Sequence, residues 1–183
     1  MSPRIPAPER REQILLVARP LFAQNGFAAT RLDDVAAAAG VTKPILYRHF
    51  DSKKALYMAL LRRHEDDLPR FFEDAAPAQI LAVWLDYVRA NSDNWLMLFR
   101  DSSGDEEIRE LRADVSRTAR RLIAEFIASR AGSRVPAEQV EPTAELLTSG
   151  LAALVLWWID HPDVPKDVIL AAAARPVSAV VAP

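Results

Sequence analysis

Three lysines lie where helix electrostatics disfavour them, at the starts of two predicted helices. Lys43 falls in the first turn of one short helix, and Lys53 and Lys54 open the next. A helix N-terminus carries a partial positive charge, so an ammonium group there is unfavourable unless an anion lies nearby. A phosphate group would be attracted to both the helix N-terminus and the ammonium. The pattern favours a phosphate-bearing partner; the alternative is three exposed lysines whose charges the solvent screens.

The residues between these lysines add groups that suit a nucleic acid. Leu46 and Phe50 are four residues apart and are predicted to face the core, which turns Tyr47 and Arg48 toward solvent or a ligand. A tyrosine hydroxyl can donate to a phosphate oxygen, and an arginine can bind guanine with two hydrogen bonds in the major groove. The alternatives are partial packing for Tyr47 and a plain surface position for His49.

The charged residues are also distributed unevenly, with a basic N-terminal part and an acidic remainder. The 183 residues carry 23 basic and 25 acidic side chains, a net charge of −2. Residues 1–63 hold 11 basic and five acidic side chains, or +6, whereas residues 64–183 hold 12 and 20, or −8. Such asymmetry indicates a basic end that faces nucleic acid or a membrane, with chance fluctuation as the alternative.

The elements that position these side chains are predicted to be helices, because nearly every periodic segment has helical spacing. Thr30 and Asp33 resemble a capping box at the start of the second helix, which Gly40 ends. Thr42 is predicted to cap the third helix, which runs over 43–49. Two short helices joined by a glycine-containing turn form the helix-turn-helix plan, in which the second helix of the motif enters the DNA major groove.

The flanking helices are less regular. The first is predicted over 9–25, with a kink near Leu16 to Pro20 and a C-terminal cap in which Gly26 has positive φ. The fourth begins at Lys53, capped by Asp51 or Ser52, and Pro69 either ends or kinks it. Further helices are predicted from about Pro77, around Trp95 to Phe99, from Asp105 to about Ala131, from Glu141 to Asp160, and from Pro165 to Arg175.

Several classes of site are unsupported by the sequence. The chain has no Cys, and its three His residues are scattered, so we expect no metal site and no cofactor. No HExxH motif, glycine-rich phosphate loop or nucleophile elbow is present, so we expect no enzyme activity. The N-terminal residues lack a signal-peptide core, and the longest apolar run, 151–159, is too short for a membrane span. A soluble, intracellular protein with no membrane partner is expected.

The N-terminal third resembles a known family. The carrying residues are Ile14-Leu15, Ala18, Leu21-Phe22, Gly26-Phe27, Thr30, Val35-Ala36, Ala39-Gly40-Val41-Thr42-Lys43, Leu46-Tyr47-Arg48-His49-Phe50, Ser52-Lys53 and Leu56. In order and spacing they resemble the DNA-binding domain of TetR-family transcriptional regulators.

The resemblance implies an all-α protein with three N-terminal helices for DNA and about six more for ligand binding and dimerisation. It divides the chain into residues 1–52, an N-terminal arm and helix-turn-helix domain, and residues 53–183, with the helix from residue 53 connecting the two. It implies a homodimeric repressor, or less often an activator, in the bacterial cytoplasm. The partners would be double-stranded operator DNA and a small-molecule effector.

The resemblance also assigns positions on the DNA side. Phosphate-contacting positions fall on Thr30, Thr42, Tyr47, His49 and Lys53, and base or groove contacts on Lys43, Pro44 and Arg48. Arg31 stands where the family often has a small or polar residue and is predicted to add a phosphate contact.

The C-terminal region carries two weaker predictions. Its aromatic residues as a set suggest a mostly apolar cavity for an apolar or aromatic small molecule, although each one alone suits the core better than a pocket lining. These are Phe72, Trp84, Tyr87, Trp95, Phe99, Phe126 and Trp157. The last two helices are predicted to form a four-helix dimer interface through Gly150, Leu151, Leu154, Trp158, Val168 and Ala172.

Two other functions stay open at this point. A DNA-binding protein that responds to no ligand would lack a cavity in the second domain. An all-helical enzyme or structural protein with a basic N-terminal hairpin would carry a buried, strongly perturbed acid–base pair there.

Overall fold

The computed structural model describes residues 6–74, 79–100, 104–130 and 135–181. Within these ranges the chain forms nine helices and no strand, which confirms the all-α prediction. The helices are α1 (Ala7–Ala29), α2 (Leu32–Ala38), α3 (Lys43–Tyr47), α4 (Lys53–Asp74), α5 (Ile80–Ala90), α6 (Ser92–Phe99), α7 (Glu106–Arg130), α8 (Ala137–Asp160) and α9 (Lys166–Val181).

The helices form two compact units that do not follow a single cut in the sequence. The first unit comprises Met1–His64 together with Asp93–Arg112, and the second comprises Glu65–Ser92 and Ala113–Pro183. The first unit therefore contains α6 and the start of α7 in addition to the helix-turn-helix segment.

The irregularity in α1 lies at Gly26 rather than at Pro20. Gly26 has φ 75° and ψ 169°, the one non-helical conformation within Ala7–Ala29, whereas Pro20 keeps helical torsions. Positive φ is accessible to glycine because it has no Cβ. The prediction of a special glycine conformation at this position is confirmed, and the break in the helix lies six residues beyond the proline.

The start of α2 differs from the predicted capping box. Arg31 occupies the N-cap position, and it makes no side-chain capping bond. The Thr30 hydroxyl instead turns back to α1, 2.8 Å from the Gly26 carbonyl oxygen and 3.2 Å from that of Leu21. The predicted capping box is wrong because α2 begins one residue later than expected, which puts Arg31 at the N-cap and leaves the Thr30 hydroxyl to donate to α1. At the other boundaries, Gly40 has φ 62° and ends α2 as predicted, and the Ser52 hydroxyl caps α4 by accepting from the backbone N–H of Ala55.

Two later prolines are accommodated within helices. α4 continues through Pro69 to Asp74, so this proline does not end the helix. α9 likewise continues past Pro176 to Val181, beyond the end predicted at Arg175.

An aromatic cluster joins α1 to α4 inside the first unit. Phe22 and Tyr57 are fully buried, and their ring centroids lie 5.0 Å apart in an edge-to-face arrangement. Phe27 packs edge-to-face against Tyr57 at 5.2 Å. The Tyr57 hydroxyl donates to the carbonyl of Met97 on α6 at 3.0 Å and accepts from Arg112 on α7 at 2.7 Å. Tyr57 therefore connects four helices of this unit.

The second unit has two apolar clusters built from α5, α7, α8 and α9. One contains Ala124 and Ile127 of α7 with Ala144 and Leu147 of α8. The other contains Leu85, Trp158 and Ile169, with Trp84, Leu154, Val164 and Leu170 packed against it. α8 contributes to both clusters.

Among the described helices, α8 is long and apolar enough, by length and composition alone, to cross a membrane. Core helices of soluble proteins also meet this criterion.

We expect Tyr57→Phe to lower the free energy of unfolding by about 1–2 kcal/mol, because the Met97 carbonyl and the Arg112 guanidinium each lose a buried partner. Urea unfolding of the full chain measures this loss. Tyr47→Phe removes the same atom from an exposed ring and should change stability by less than about 0.5 kcal/mol. Equal effects of the two substitutions would contradict the role assigned to the buried hydroxyl.

Candidate nucleic-acid interface

α3 separates a buried face from an exposed one. Leu46 is fully buried and Phe50, just past the helix, is 3% exposed, as predicted. Lys43, Pro44, Tyr47 and Arg48 are all exposed. The exposed face of this five-residue helix therefore presents an ammonium, a phenol and a guanidinium together, the groups that contact phosphates and base edges in DNA.

Lys43 is held by a carboxylate of the neighbouring helix. Its Nζ lies 2.9 Å from Asp33 Oδ1, and both side chains are about half exposed. The hydrogen bond and the attraction between the charges lower the pKa of Asp33 and raise that of Lys43. The unfavourable position of Lys43 at the start of α3 is thereby compensated by an acid in the first turn of α2.

Lys53 binds the end of α1. Its ammonium donates to the carbonyl oxygens of Phe27 at 2.7 Å, Ala28 at 3.0 Å and Thr30 at 3.1 Å, and it lies 4.7 Å from the centre of the Phe27 ring. A positive charge is favourable at a helix C-terminus. Lys53 is therefore at the wrong end of its own helix but at the favourable end of another.

Lys54 is also paired within the first unit. Its Nζ lies 2.8 Å from Glu107 Oε2 and 3.4 Å from Asp105 Oδ2. Its pKa is raised, chiefly by the hydrogen bond to Glu107. All three lysines thus have internal partners, and neither screening by solvent nor a phosphate is needed to explain where they stand.

The other predicted DNA contacts differ in accessibility. Arg31 and Thr42 are exposed, and Thr42 makes no side-chain capping bond to α3. His49 is partly buried. Thr30 is only 2% exposed, and its hydroxyl is occupied by α1 carbonyls. DNA contacts by Thr30 and Lys53 stay predictions, and in this structure both side chains hold the end of α1.

Sequence reasoning overlooked two features of this face. Asp33 was considered only as a capping residue, although it pairs with Lys43. Arg11, in α1, places its guanidinium 4.7 Å from the centre of the Phe50 ring. The Asp33–Lys43 contact could have been indicated by the spacing of ten residues between an acid in one helix and a lysine in the next.

The residues predicted to line a cavity are distributed over both units. Trp84, Tyr87 and Phe126 are partly buried in the second unit, and Trp157 there is exposed. Trp95 is buried and Phe99 exposed in the first unit, where their rings stack 5.5 Å apart. Phe72 lies outside the residues whose side chains the structure describes.

α8 and α9 expose an apolar surface that the dimer prediction only partly anticipated. Leu146, Gly150, Ala153 and Trp157 are exposed at successive spacings of four, three and four, so they form one stripe along α8. Leu146 is 71% exposed and Trp157 46%. We call this set the α8 stripe.

The remaining residues of the dimer prediction lie in different environments. Val168 and Ala172 are exposed on α9, and Leu151 and Leu154 are partly buried. Trp158 is 4% exposed, and its indole N–H donates to the Val164 carbonyl at 2.9 Å. Trp158 therefore belongs to the core of its own unit. The neighbouring Trp157 is the tryptophan that exposes its ring on α8.

Among the described residues, no group of three or more His, Asp or Glu side chains is placed to hold a metal ion.

Comparison with known proteins assigns both parts of the chain. A family model described as bacterial regulatory proteins of the tetR family matches residues 14–60. A second, the tetracyclin repressor-like C-terminal domain, matches residues 78–176. The chain belongs to the TetR family. This family is made of transcriptional regulators, which are not enzymes.

Curated TetR-family relatives match the N-terminal region. The HTH-type transcriptional activator FasR of Mycolicibacterium smegmatis is 49% identical over 65 residues, which cover 36% of this chain and 30% of FasR. The HTH-type transcriptional regulator RutR of Escherichia coli is 43% identical over 84 residues, covering 44% of this chain and 38% of RutR. The match thus spans well under half the length of these relatives.

Solved TetR-family structures share the fold over nearly the whole chain. A transcriptional regulator from Aquifex aeolicus aligns with a TM-score of 0.79 at 20% identity, covering 92% of this chain and 98% of that one. The regulator FadR of Bacillus subtilis, solved in complex with stearoyl-CoA, aligns with a TM-score of 0.74 at 16% identity, covering 93% and 97%.

We expect Lys53→Met to lower the free energy of unfolding by about 1 kcal/mol, because three carbonyl oxygens lose a charged donor. Lys54→Met removes a lysine of the same helix turn that makes only exposed ion pairs, and it should cost less than about 0.5 kcal/mol. Thermal and urea unfolding of the two variants measure the difference. If both variants match the wild type, the Lys53 ammonium does not hold the end of α1 in solution.

Proposed function

We propose that this protein is a ligand-responsive transcriptional repressor that binds operator DNA as a homodimer in the bacterial cytoplasm. The observation that carries the DNA-binding role is the exposed face of α3. Lys43, Tyr47 and Arg48 lie on that face, while Leu46 and Phe50 on the opposite side are buried. In the helix-turn-helix plan this is the helix that enters the major groove.

The three exposed groups have different parts in this proposal. The Tyr47 hydroxyl would donate to a phosphate oxygen, which fixes the position of the protein without reading sequence. Arg48 would bind a guanine edge with two hydrogen bonds, which reads sequence. The Lys43 ammonium would add an attraction to phosphates that weakens as salt rises.

Dimerisation supplies the second half-site. The α8 stripe, together with Val168 and Ala172 of α9, would pack against the same surface of a second subunit in an isologous four-helix arrangement. Exposure of large apolar side chains such as Leu146 and Trp157 supports this, because contiguous apolar surface of this kind marks an interface. Gly150 within the stripe adds no side chain, so two helix backbones could approach closely there.

The proposed effector is a small apolar or aromatic molecule bound in the second unit. Trp84, Tyr87 and Phe126 are partly buried there and offer aromatic surface. The stearoyl-CoA complex of FadR supports the proposal in that a protein of this fold holds a ligand with a long apolar chain. The effector would release DNA by binding more tightly to a state of the dimer whose half-site separation does not fit the operator.

We expect gel shifts to show sequence-specific binding that weakens steeply as salt rises. The probe is a duplex selected by the protein from a random library, with a scrambled duplex beside it.

Tyr47→Phe should weaken binding to both duplexes by the same factor, about two- to tenfold. Arg48→Ala should relax the preference at one base position by about 1–3 kcal/mol. Arg121→Ala, an exposed position on α7 in the second unit, is the matched control and should leave binding unchanged. No selected sequence and no salt dependence would refute the proposal.

We expect Leu146→Glu to convert the dimer to a monomer, because it buries an unpaired carboxylate in the proposed interface. Light scattering after size-exclusion chromatography measures the mass. Val83→Glu places the same charge on another exposed apolar residue of the second unit, on α5 outside the stripe, and should leave the mass unchanged. A Leu146→Glu variant that stays dimeric would place the interface elsewhere.

A further inference from the structure

Asp33 places a negative charge on the surface that we propose binds DNA. It lies in the first turn of α2, is about half exposed, and pairs at 2.9 Å with Lys43 on the face of α3 that we propose enters the groove. Its carboxylate would lie near phosphates, which repel it. It makes no side-chain capping bond, and its attraction to the N-terminus of α2 is shared by Asp34, whereas the pairing with Lys43 is not.

We propose that Asp33 withholds Lys43 from DNA phosphates and thereby lowers the sequence-independent part of DNA binding. The inference rests on the proposed DNA-binding function. In the free protein the Lys43 ammonium already has an anionic partner, so a phosphate must replace the carboxylate before it gains the contact. This exchange reduces the benefit of each Lys43–phosphate contact wherever the protein meets DNA.

Asp33 lowers binding to an operator and to random DNA by the same factor, because a phosphate contact carries no sequence information, and the effect is measured most simply on random DNA. Binding to random DNA is supplied almost wholly by phosphate contacts, whereas binding to an operator adds contacts to base edges. Exposed ion pairs are weak, so the pairing of Lys43 with Asp33 lowers the affinity for DNA by only a small factor, about two- to fivefold. Because genomic DNA offers a very large number of non-specific sites, even a small factor changes how much protein is held on them.

The neighbouring acid supplies a matched control. Asp34 lies on the same turn of α2 and is exposed, and the structure gives its carboxylate no ion pair among the described residues. Replacing either aspartate by asparagine removes one negative charge at nearly the same place. Only Asp33→Asn also releases Lys43.

The test is fluorescence anisotropy of the full chain with a random-sequence duplex over a range of salt concentrations. Asp33→Asn should bind about two- to fivefold more tightly than Asp34→Asn, and this gain should shrink as the salt concentration rises. The double variant Asp33→Asn/Lys43→Gln should lose this gain. Asparagine variants with equal affinity, or weaker binding by Asp33→Asn, would overturn the inference and leave the proposed function standing. Failure of the wild type to bind any duplex at any salt would overturn both.

A second measurement tests the pair without DNA. Side-chain carboxyl NMR should show Asp33 ionising at lower pH in the wild type than in Lys43→Gln, because the pair with Lys43 lowers the pKa of Asp33. No difference at Asp33 would show that the ion pair is not held in solution, and the inference would fail on that ground alone.

Discussion

Burial of the Leu46 side chain fixes the direction of every other side chain on α3. A five-residue helix is too short to be stable by itself, so its position depends on packing against the rest of its unit. With Leu46 fully buried and Phe50 buried beyond it, the helical repeat leaves Tyr47 and Arg48 to face outward. The outward direction of the proposed DNA surface thus follows from the burial of these two apolar side chains.

The helices of this chain and the buried face of α3 could be predicted from the sequence because they depend on local periodicity. Leu46 and Phe50 were placed correctly on that basis, and Gly26 and Gly40 were placed correctly because positive φ is a property of single residues. Whether a proline ends a helix is harder to predict, since α4 continues through Pro69 and α9 through Pro176.

Contacts between distant residues could not be predicted in this way. Helix electrostatics, applied to each helix alone, leaves the three lysines without partners and therefore predicts a phosphate. The fold supplies those partners from other elements: Asp33 for Lys43, the end of α1 for Lys53, and Asp105 with Glu107 for Lys54. The positive charge of residues 1–63 is therefore partly neutralised in place, and the groups left exposed on α3 are the ones that carry the argument for DNA.

The discontinuous composition of the first unit bears on how regulators of this kind can be recombined. A fragment cut after His64 would lack α6 and the start of α7. It would lose the Met97 carbonyl and Arg112, both partners of the Tyr57 hydroxyl, together with the two carboxylates that bind Lys54. A chimera that grafts this helix-turn-helix segment onto the body of another regulator must therefore also transplant residues 93–112, or supply equivalent groups from the recipient.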